Sequence, residues 1–160
     1  MARDDEYFRS VIRLFPDYAE SVIWFAIGPV PYEQSRISAR LRKDLEAWES
    51  FYYRSLTEDD RWGSAEDRAL FADDARRLAE RLAAEVGGQF EVEYRDSRDK
   101  KIRARSDSGP TNTDAAAAFT QISRDLDEMQ ARIDREVEAG ASFGWFAYVP
   151  TDEEDEDPLL

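Results

Sequence analysis

The sequence predicts an α+β fold, a single domain in which a small, mostly antiparallel sheet is covered by three helices. Three long stretches repeat apolar residues at the three- and four-residue spacing of an amphipathic helix. Around them lie short runs rich in aromatic and β-branched residues, which is the composition of buried strands. With 160 residues, of which 42% are hydrophobic, the chain is long enough to bury a core of this kind.

The first part of the chain predicts two strands joined as a hairpin. Residues 22–27, V-I-W-F-A-I, form a β-branched and aromatic run that glycine and proline bound on one side. Residues 4–15 fit either a helix or a strand, because apolar residues at helical spacing are here also β-branched or aromatic. We expect a strand over residues 8–15 that pairs with residues 22–27, since Pro16 disfavours a helix at the residue before it.

Two amphipathic helices follow, over residues 38–55 and 65–86. Ser38 and Ser64 stand at their N-cap positions, where a hydroxyl accepts a hydrogen bond from the first turn. Gly87 ends the second helix, because glycine readily adopts the left-handed conformation of a helix end. The apolar face of the first helix consists of Ile37, Leu41, Leu45, Trp48 and Tyr52.

The second half of the chain predicts two or three further strands and one long helix. Residues 90–95 alternate apolar and polar side chains, and residues 102–105 suit a charged edge strand beside them. A helix is expected over residues 114–139, and a final strand over residues 144–149. We expect residues 1–150 to form one domain, with residues 151–160 as a disordered acidic tail.

The net charge of the chain limits the classes of partner that it can bind. The formal net charge is −14, with 36 acidic residues against 22 basic ones, and there is no cysteine. Nucleic acids and anionic membranes favour basic surfaces, so we expect neither as a direct partner and favour a basic protein instead. The N-terminus lacks the pattern of a signal peptide, and the longest apolar run, residues 22–30, is far below the ~20 residues that span a bilayer. A cytoplasmic protein is the resulting expectation; the oligomeric state stays open.

The sequence contains no pattern that indicates catalysis or a bound cofactor. Without histidine, the chain lacks the usual general base and the commonest metal ligand. Neither a nucleophile elbow nor a phosphate-binding loop is present. Adjacent carboxylates lie on the polar sides of predicted helices, as in a solvated surface, so we expect no enzyme, no metal and no cofactor. These pairs are Glu66 with Asp67, Asp73 with Asp74, and Asp125 with Asp127.

The end of the chain combines an aromatic segment with a run of acids. Residues 143–150 read F-G-W-F-A-Y-V-P, and residues 152–157 read D-E-E-D-E-D. Tryptophan and tyrosine dominate interface energetics, and an acidic rim suits a basic partner. The alternatives are a final strand packed on the core and a tail that only aids solubility. The candidate partner-binding residues are Trp145, Phe146, Tyr148, Asp152, Glu153, Glu154, Asp155, Glu156 and Asp157.

One basic cluster interrupts the acidic surface. It consists of Arg98, Lys100, Lys101, Arg103 and Arg105. Because the surrounding molecule is acidic, we expect this cluster to pair with the protein's own carboxylates rather than with a phosphate backbone.

Residues 11–94 resemble a group of small acidic bacterial proteins. The resemblance rests on S-A-R-L-R-K-D-L-E-A-W-E-S-F-Y, and on the helix–strand junction R-R-L-A-E-R-L-A-A-E-V-G-G-Q-F-E-V-E-Y. These are packing motifs, and the group has no established active site, so no functional residue carries over. Proteins of this kind are often immunity partners of secreted bacterial toxins, and the resemblance implies an inhibitor by analogy.

These observations predict a non-catalytic binding protein. We expect an immunity or antitoxin-like inhibitor that neutralises a basic protein partner, such as a toxin or nuclease. The alternative is a structural or adaptor subunit that assembles through the long C-terminal helix, whose apolar residues step by three and four.

Overall fold

Five helices and five strands occur in residues 2–140, the part of the chain that the computed structural model describes. In chain order they are α1 (Ala2–Ser10), β1 (Val11–Leu14), β2 (Ile23–Phe25), β3 (Gly28–Pro29), α2 (Tyr32–Ser35), α3 (Ala39–Ser55), α4 (Ala65–Val86), β4 (Glu91–Arg95), β5 (Lys101–Ala104) and α5 (Thr113–Glu138). The predicted α+β class is confirmed, and the three predicted helices correspond to α3, α4 and α5. The chain divides into one unit that ends at Asp127 and a second that begins at Glu128.

The strands form one sheet in the order β3-β2-β1-β4-β5. Three of the neighbouring pairs are antiparallel, as predicted, whereas β1 and β4 are parallel. Parallel strands end at the same edge of a sheet. The loop after β1, residues 15–22, and the turn after β4, residues 96–100, therefore leave the sheet side by side.

The region that fitted either a helix or a strand contains one of each. Helix α1 ends at Ser10, and β1 begins at the next residue, Val11. The Ser10 hydroxyl donates a 2.7 Å hydrogen bond to the Glu6 carbonyl oxygen, four residues back in the helix. The strand expected over residues 8–15 was too long at its N-terminal end, but the expected hairpin is confirmed by the antiparallel β1–β2 pair.

Side-chain caps begin the two central helices. The Ser38 hydroxyl oxygen accepts a 3.2 Å hydrogen bond from the Leu41 amide at the start of α3. The Ser64 hydroxyl oxygen accepts one of 3.1 Å from the Asp67 amide at the start of α4. Helix α4 ends at Gly87, whose φ of +80° is in the region that favours glycine. The predicted caps and the position of the glycine stop are confirmed, but the ψ of 176° at Gly87 is not that of the left-handed helical conformation that was predicted.

The core lies between one face of the sheet and helices α3, α4 and α5. Phe119 of α5 is fully buried, and its ring centroid lies 5.4 Å from that of Phe25 and 6.1 Å from that of Phe90. The first part of α5 therefore belongs to the core of the unit that ends at Asp127. The other large side chains that are fully buried include Ile12, Ile23, Leu41, Leu45, Leu82, Val86 and Val92.

On the opposite face of the sheet, a tryptophan and three charged residues form a row across four strands. Cross-strand register aligns Trp24, Arg13, Glu93 and Arg103. The Tyr7 hydroxyl of α1 donates a 2.8 Å hydrogen bond to the buried Glu93, and the Arg103 guanidinium lies 3.4 Å from the other oxygen of that carboxylate. Helix α1 therefore lies over this row.

The basic cluster pairs in part with the protein's own acids. Arg103 also forms a 3.4 Å ion pair with Glu91, and Arg98 lies 3.7 Å from Asp96. For these two arginines the expected pairing is confirmed. Both pairs join residues of the β4–β5 hairpin, so these two arginines are held by their immediate neighbours.

Two short elements were not predicted, and three predictions lie outside the described residues. Helix α2 and strand β3 are too short to produce a periodic pattern. The strand expected over residues 144–149, the domain limit at residue 150 and the acidic tail all fall beyond residue 140. Within residues 2–140, no helix is long and apolar enough to cross a membrane.

Candidate partner-binding surface

An aromatic cleft opens at the edge of the sheet where β1 and β4 end. Its volume is about 190 Å³. Residues of the β1–β2 loop, of the α3–α4 loop (residues 56–64) and of the β4–β5 turn line it together with side chains of α3 and α4. The rings that line this aromatic cleft belong to Phe15, Trp48, Tyr52, Trp62 and Phe71.

The floor of the aromatic cleft is a stacked pair of rings. The Trp48 and Phe71 centroids lie 4.4 Å apart, with 6° between the ring planes. The Trp48 indole N–H donates a 3.1 Å hydrogen bond to the Phe71 carbonyl oxygen, so the buried indole has its polar group satisfied. This pair holds α3 against α4 and gives the cleft a fixed base.

The outer wall is formed by Tyr52 and Trp62. The two ring centroids lie 5.6 Å apart, and each lies 5.1 Å from that of Phe71. Trp62 reaches this position because the α3–α4 loop folds back on itself as a tight turn. The loop is closed by a 2.9 Å hydrogen bond from the Gly63 amide to the Ser55 carbonyl oxygen.

Beside the cleft, Tyr18 and Tyr53 form a surface that we call the tyrosine pair. Their ring centroids lie 4.7 Å apart, and the Tyr18 amide donates a 2.7 Å hydrogen bond to the Tyr53 phenol oxygen. Tyr18 is 77% exposed, so most of its ring is open to a partner. Its φ of +48° is uncommon for a bulky residue, and such strain is concentrated at functional sites.

Carboxylates lie near Tyr52 and near Tyr53. Burial raises the pKa of Tyr52, and the nearby Asp60 and Asp17 raise it further. Burial likewise raises the pKa of Tyr53, with further contributions from Glu49 and Asp17. Within the described part of the chain, Asp17, Glu49 and Asp60 form no ion pair.

Glu49 differs from the exposed acids because one of its oxygens is buried. Its Oε2 atom is out of contact with solvent and has no hydrogen-bond partner among the described residues. Burial raises the pKa of this carboxyl, and the neighbouring Glu46 raises it further. Glu49 precedes Tyr53 by one helical turn, so it lies on the same side of α3 as the tyrosine pair.

On the β4–β5 side of the cleft, the acids are already engaged. Asp99 forms a 3.3 Å ion pair with Arg95. Asp96 accepts 2.9 Å hydrogen bonds from the Arg98 and Lys100 amides, and these bonds hold the pKa of Asp96 below its ordinary value. Around the cleft, the acids without an ion pair among the described residues are therefore those near Tyr52 and Tyr53.

The residues that the sequence singled out do not line this surface. The partner-binding candidates Trp145, Phe146, Tyr148 and residues 152–157 lie outside the described residues. Of the adjacent carboxylates, Asp74 forms a 3.4 Å ion pair with Arg77. Within residues 2–140, no three potential ligands group together in a way that could hold a metal ion.

The residues of this surface are visible in the sequence, but they occur in separate segments. Acids adjoin aromatics in D-Y at residues 17–18 and in E-D-D-R-W at residues 58–62, and two tyrosines adjoin at residues 52–53. These segments are far apart in the chain. They meet because the β1–β2 loop packs on α3 through the tyrosine pair, which periodicity cannot reveal.

Residues 10–97 match the sequence model of a family described as Serratia CdiI immunity protein-like. The matched segment agrees with the resemblance found over residues 11–94 and contains the tyrosine pair and every ring of the aromatic cleft. Helix α5 lies outside it. No curated protein matches the chain.

Proposed function

The chain belongs to the Serratia CdiI immunity protein-like family, and from that premise we propose that it neutralises a basic protein toxin by binding it, without catalysis. The aromatic cleft and the tyrosine pair are the binding surface in this proposal. The partner is a protein because the family is one of immunity proteins. Its basic character is inferred from the charges around the surface.

The observation that carries the proposal is the exposed Tyr18 near carboxylates, Asp17 and Asp60, that form no ion pair within residues 2–140. Tyrosine and tryptophan are enriched at the residues that dominate interface energies. Tyr18 offers such a side chain, its ring contacts that of Tyr53, and its backbone amide is bonded to the Tyr53 hydroxyl. A preorganised anchor of this kind loses little conformational entropy on binding.

The acidic side chains near this surface favour a positively charged partner. Asp17 precedes Tyr18 in the chain, Asp60 lies near Tyr52, and Glu58 and Asp59 are exposed in the same α3–α4 loop as Asp60. Together with a net charge of −14, these acids steer a basic surface toward this end of the molecule. Steering of this kind increases the association rate and weakens as salt screens the charges.

The C-terminal residues enter the proposal as an addition to the folded surface. In it, the acids of residues 152–157 contribute to steering, and Trp145, Phe146 and Tyr148 contribute apolar contact. Removal of residues 151–160 is then expected to slow association with the toxin. The melting temperature is expected to change little, because these residues lie beyond the elements that form the core.

The experiment begins with capture. The immobilised chain is exposed to lysate of its source organism at low salt, and the proteins released by high salt are identified. Each basic candidate is then expressed alone and together with the chain, and cell growth is measured. We expect one candidate to arrest growth and the chain to restore it. Candidates that are harmless, or a toxic candidate that the chain does not relieve, would contradict the proposal.

A second candidate function is supported by the second unit of the chain. In its described residues, Met129, Ile133 and Val137 are exposed apolar side chains spaced by four along α5. This stripe suits assembly with another helix. If the capture returns only the chain itself, and high salt does not release it, the assembly role is favoured over neutralisation.

A further inference from the structure

The aromatic cleft has room for one aromatic ring. Its volume of about 190 Å³ exceeds the ~150 Å³ of an engineered protein cavity that binds benzene. Sites for drug-sized ligands are larger, roughly 300–1,000 Å³, so this cleft suits a single side chain. Besides its five rings, the apolar part of the lining consists of Leu14, Pro16, Ala72 and Ala75. In size and lining, the cleft is a pocket for one apolar group.

The walls of the cleft are held in place by contacts of the chain itself. The Phe15 ring stacks on that of Trp24, with centroids 4.8 Å apart and 7° between the planes. The Trp24 indole N–H also donates a 3.0 Å hydrogen bond to the Phe15 carbonyl oxygen. On the other side, the backbone of Trp62 forms an antiparallel bridge with Leu56. A pocket whose walls are fixed in advance loses little entropy when a side chain enters it.

The charges that line the cleft balance each other. Two arginines, Arg68 and Arg95, and two aspartates, Asp96 and Asp99, contribute to the lining. Arg95 and Asp99 pair at 3.3 Å, and Asp96 accepts hydrogen bonds from two amides of its own turn. A charged side chain of either sign would lose hydration in the cleft and gain no net attraction from a balanced lining. An uncharged occupant is therefore favoured.

One hydrogen-bond donor in the lining is open to a partner. The indole N–H groups of Trp24 and Trp48 donate to the carbonyl oxygens of Phe15 and Phe71. The indole N–H of Trp62 donates to no acceptor in the described part of the chain, and it is not one of the buried atoms that lack a partner. It therefore stays in contact with solvent, where an oxygen atom of the occupant can accept from it. A few polar groups of this kind orient the ligand of an otherwise apolar pocket.

We propose that the aromatic cleft receives one uncharged aromatic side chain of the toxin, a phenylalanine or a tyrosine. This inference rests on the proposed function and names what the toxin inserts. Aromatic rings attract one another in offset-stacked and edge-to-face arrangements, which a lining of five rings offers from several directions. A saturated side chain of equal size lacks this attraction and is expected to bind more weakly. Aromatic side chains that fill a preformed pocket are typical of the residues that dominate interface energies.

The first test uses the full chain and three small probes. The probes are p-cresol, 4-methylcyclohexanol, which has the same size but a saturated ring, and ethylguanidinium chloride. Each is titrated at constant ionic strength, and the indole N–H signal of Trp62 is followed by NMR. We expect saturable shifts with p-cresol in the millimolar range, several-fold weaker binding of 4-methylcyclohexanol, and no saturable shift with ethylguanidinium. Equal binding of 4-methylcyclohexanol would overturn the assignment to an aromatic ring, and the absence of saturable p-cresol binding would overturn the pocket.

Variants locate the binding, which is now measured from the p-cresol signals. Ala72→Leu places a larger side chain in the lining and is expected to weaken p-cresol binding at least tenfold, because it fills the cleft. Ala69→Leu is the matched control, since Ala69 is an exposed residue of the same helix and should leave binding unchanged. If Ala72→Leu is poorly folded, Trp62→Leu decides the question, because it removes one wall at a half-buried loop position. Unchanged p-cresol binding in a folded Ala72→Leu or Trp62→Leu variant would overturn the proposal.

Competition with the toxin separates this inference from the proposed function. Once growth rescue has identified the toxin, p-cresol is titrated into its complex with the chain. We expect the saturable binding to disappear, because a ring of the toxin occupies the cleft. If the complex binds p-cresol as the free chain does, the toxin inserts no side chain there, and the inference is wrong while neutralisation stands. If the free chain binds p-cresol but relieves no toxin, the pocket exists, and the proposed function is wrong together with the occupant inferred from it.

Discussion

The backbone amide of Tyr18 donates a 2.7 Å hydrogen bond to the phenol oxygen of Tyr53, 35 residues further along the chain. This bond and the contact between the two rings attach the β1–β2 loop to the C-terminal part of α3. Tyr18 can therefore keep its left-handed backbone and its exposed ring at the same time. The candidate surface depends on this attachment.

Removing the Tyr53 hydroxyl tests the attachment directly. Tyr53→Phe keeps the ring but leaves the Tyr18 amide without its acceptor. We expect faster hydrogen exchange at Tyr18, and a loss in the free energy of unfolding near the lower end of ~0.5–1.5 kcal/mol, since the bond is exposed to solvent. Tyr52→Phe is the control, because no hydrogen bond to its hydroxyl occurs in the described chain. Equal exchange at Tyr18 in both variants would show that the bond does not hold the loop.

Replacing a single acidic residue with its neutral amide tests whether the acids steer the toxin toward this surface. Asp60→Asn suits the φ of +57° at that position, because asparagine tolerates the left-handed region. We expect it to slow association with the toxin two- to fivefold at low salt, and to leave the melting temperature within about 1 °C. Stopped-flow or surface-resonance kinetics at several salt concentrations measure the effect. The control is Asp107→Asn; if it slows association as much, only net charge matters and the surface is not specific.

The pH dependence of stability tests the environment of Glu49. A carboxyl with a raised pKa binds its proton more tightly in the folded state, so ionisation costs stability as pH rises above the ordinary value of 4.5. The neighbouring Glu46 adds to this cost, and the nearby Arg42 is engaged in ion pairs with Glu33 and Glu46. Relative to Glu49→Gln, the wild type should therefore lose stability as pH rises above about 4.5. Urea unfolding at four pH values checks this, and a difference that does not change with pH would contradict it.

Substitution of a glycine tests the packing at the junction between α4 and the loop before α5. At Gly87 a Cβ atom would lie 2.8 Å from Pro110, and φ is +80°. Gly87→Ala is expected to lower the free energy of unfolding by at least about 1 kcal/mol. Gly109→Ala is the control, because a Cβ there has no neighbour within 4 Å. Chemical denaturation of both variants measures the difference, and equal stability would refute the close packing at Gly87.

A core truncation tests whether α5 belongs to the fold although it lies outside the family match. Phe119 is fully buried between Phe25 and Phe90. Phe119→Ala should cost ~3–5 kcal/mol in the free energy of unfolding, the range for aromatic side chains removed from a core. Leu70→Ala, at a side chain that is 54% exposed, should stay within ~0.5 kcal/mol. A loss below ~1 kcal/mol for Phe119→Ala would mean that α5 is not part of the core.

Local chemistry accounts for the elements that the sequence predicted well. The long helices were located to within one residue, because each has a sustained apolar period and, in α3 and α4, a serine cap. Region 4–15 was divided wrongly because a helix and a strand adjoin at Ser10 without a linker. Helix α2 and strand β3 depend on tertiary contacts, and they are too short to show a hydrophobic periodicity in the sequence.

The candidate surface was harder to predict than the fold. In the sequence, the densest combination of aromatics and acids lies near the C-terminus, at residues 143–157, and it predicted a binding surface there. In the folded chain the combination arises between Tyr18, Tyr53 and the α3–α4 loop. These residues come together because the β1–β2 loop packs against α3. The spacing of apolar residues in the sequence does not reveal such a contact between distant segments.

Hydrogen–deuterium exchange of the chain, free and in complex with the toxin that it neutralises, tests the central claim most directly. If the aromatic cleft and the tyrosine pair form the interface, amides of residues 15–22 and 56–64 should become protected in the complex. The loop at residues 105–112, at the opposite end of the sheet, should exchange as in the free protein. Protection confined to that opposite end, with residues 15–22 and 56–64 unchanged, would contradict the account.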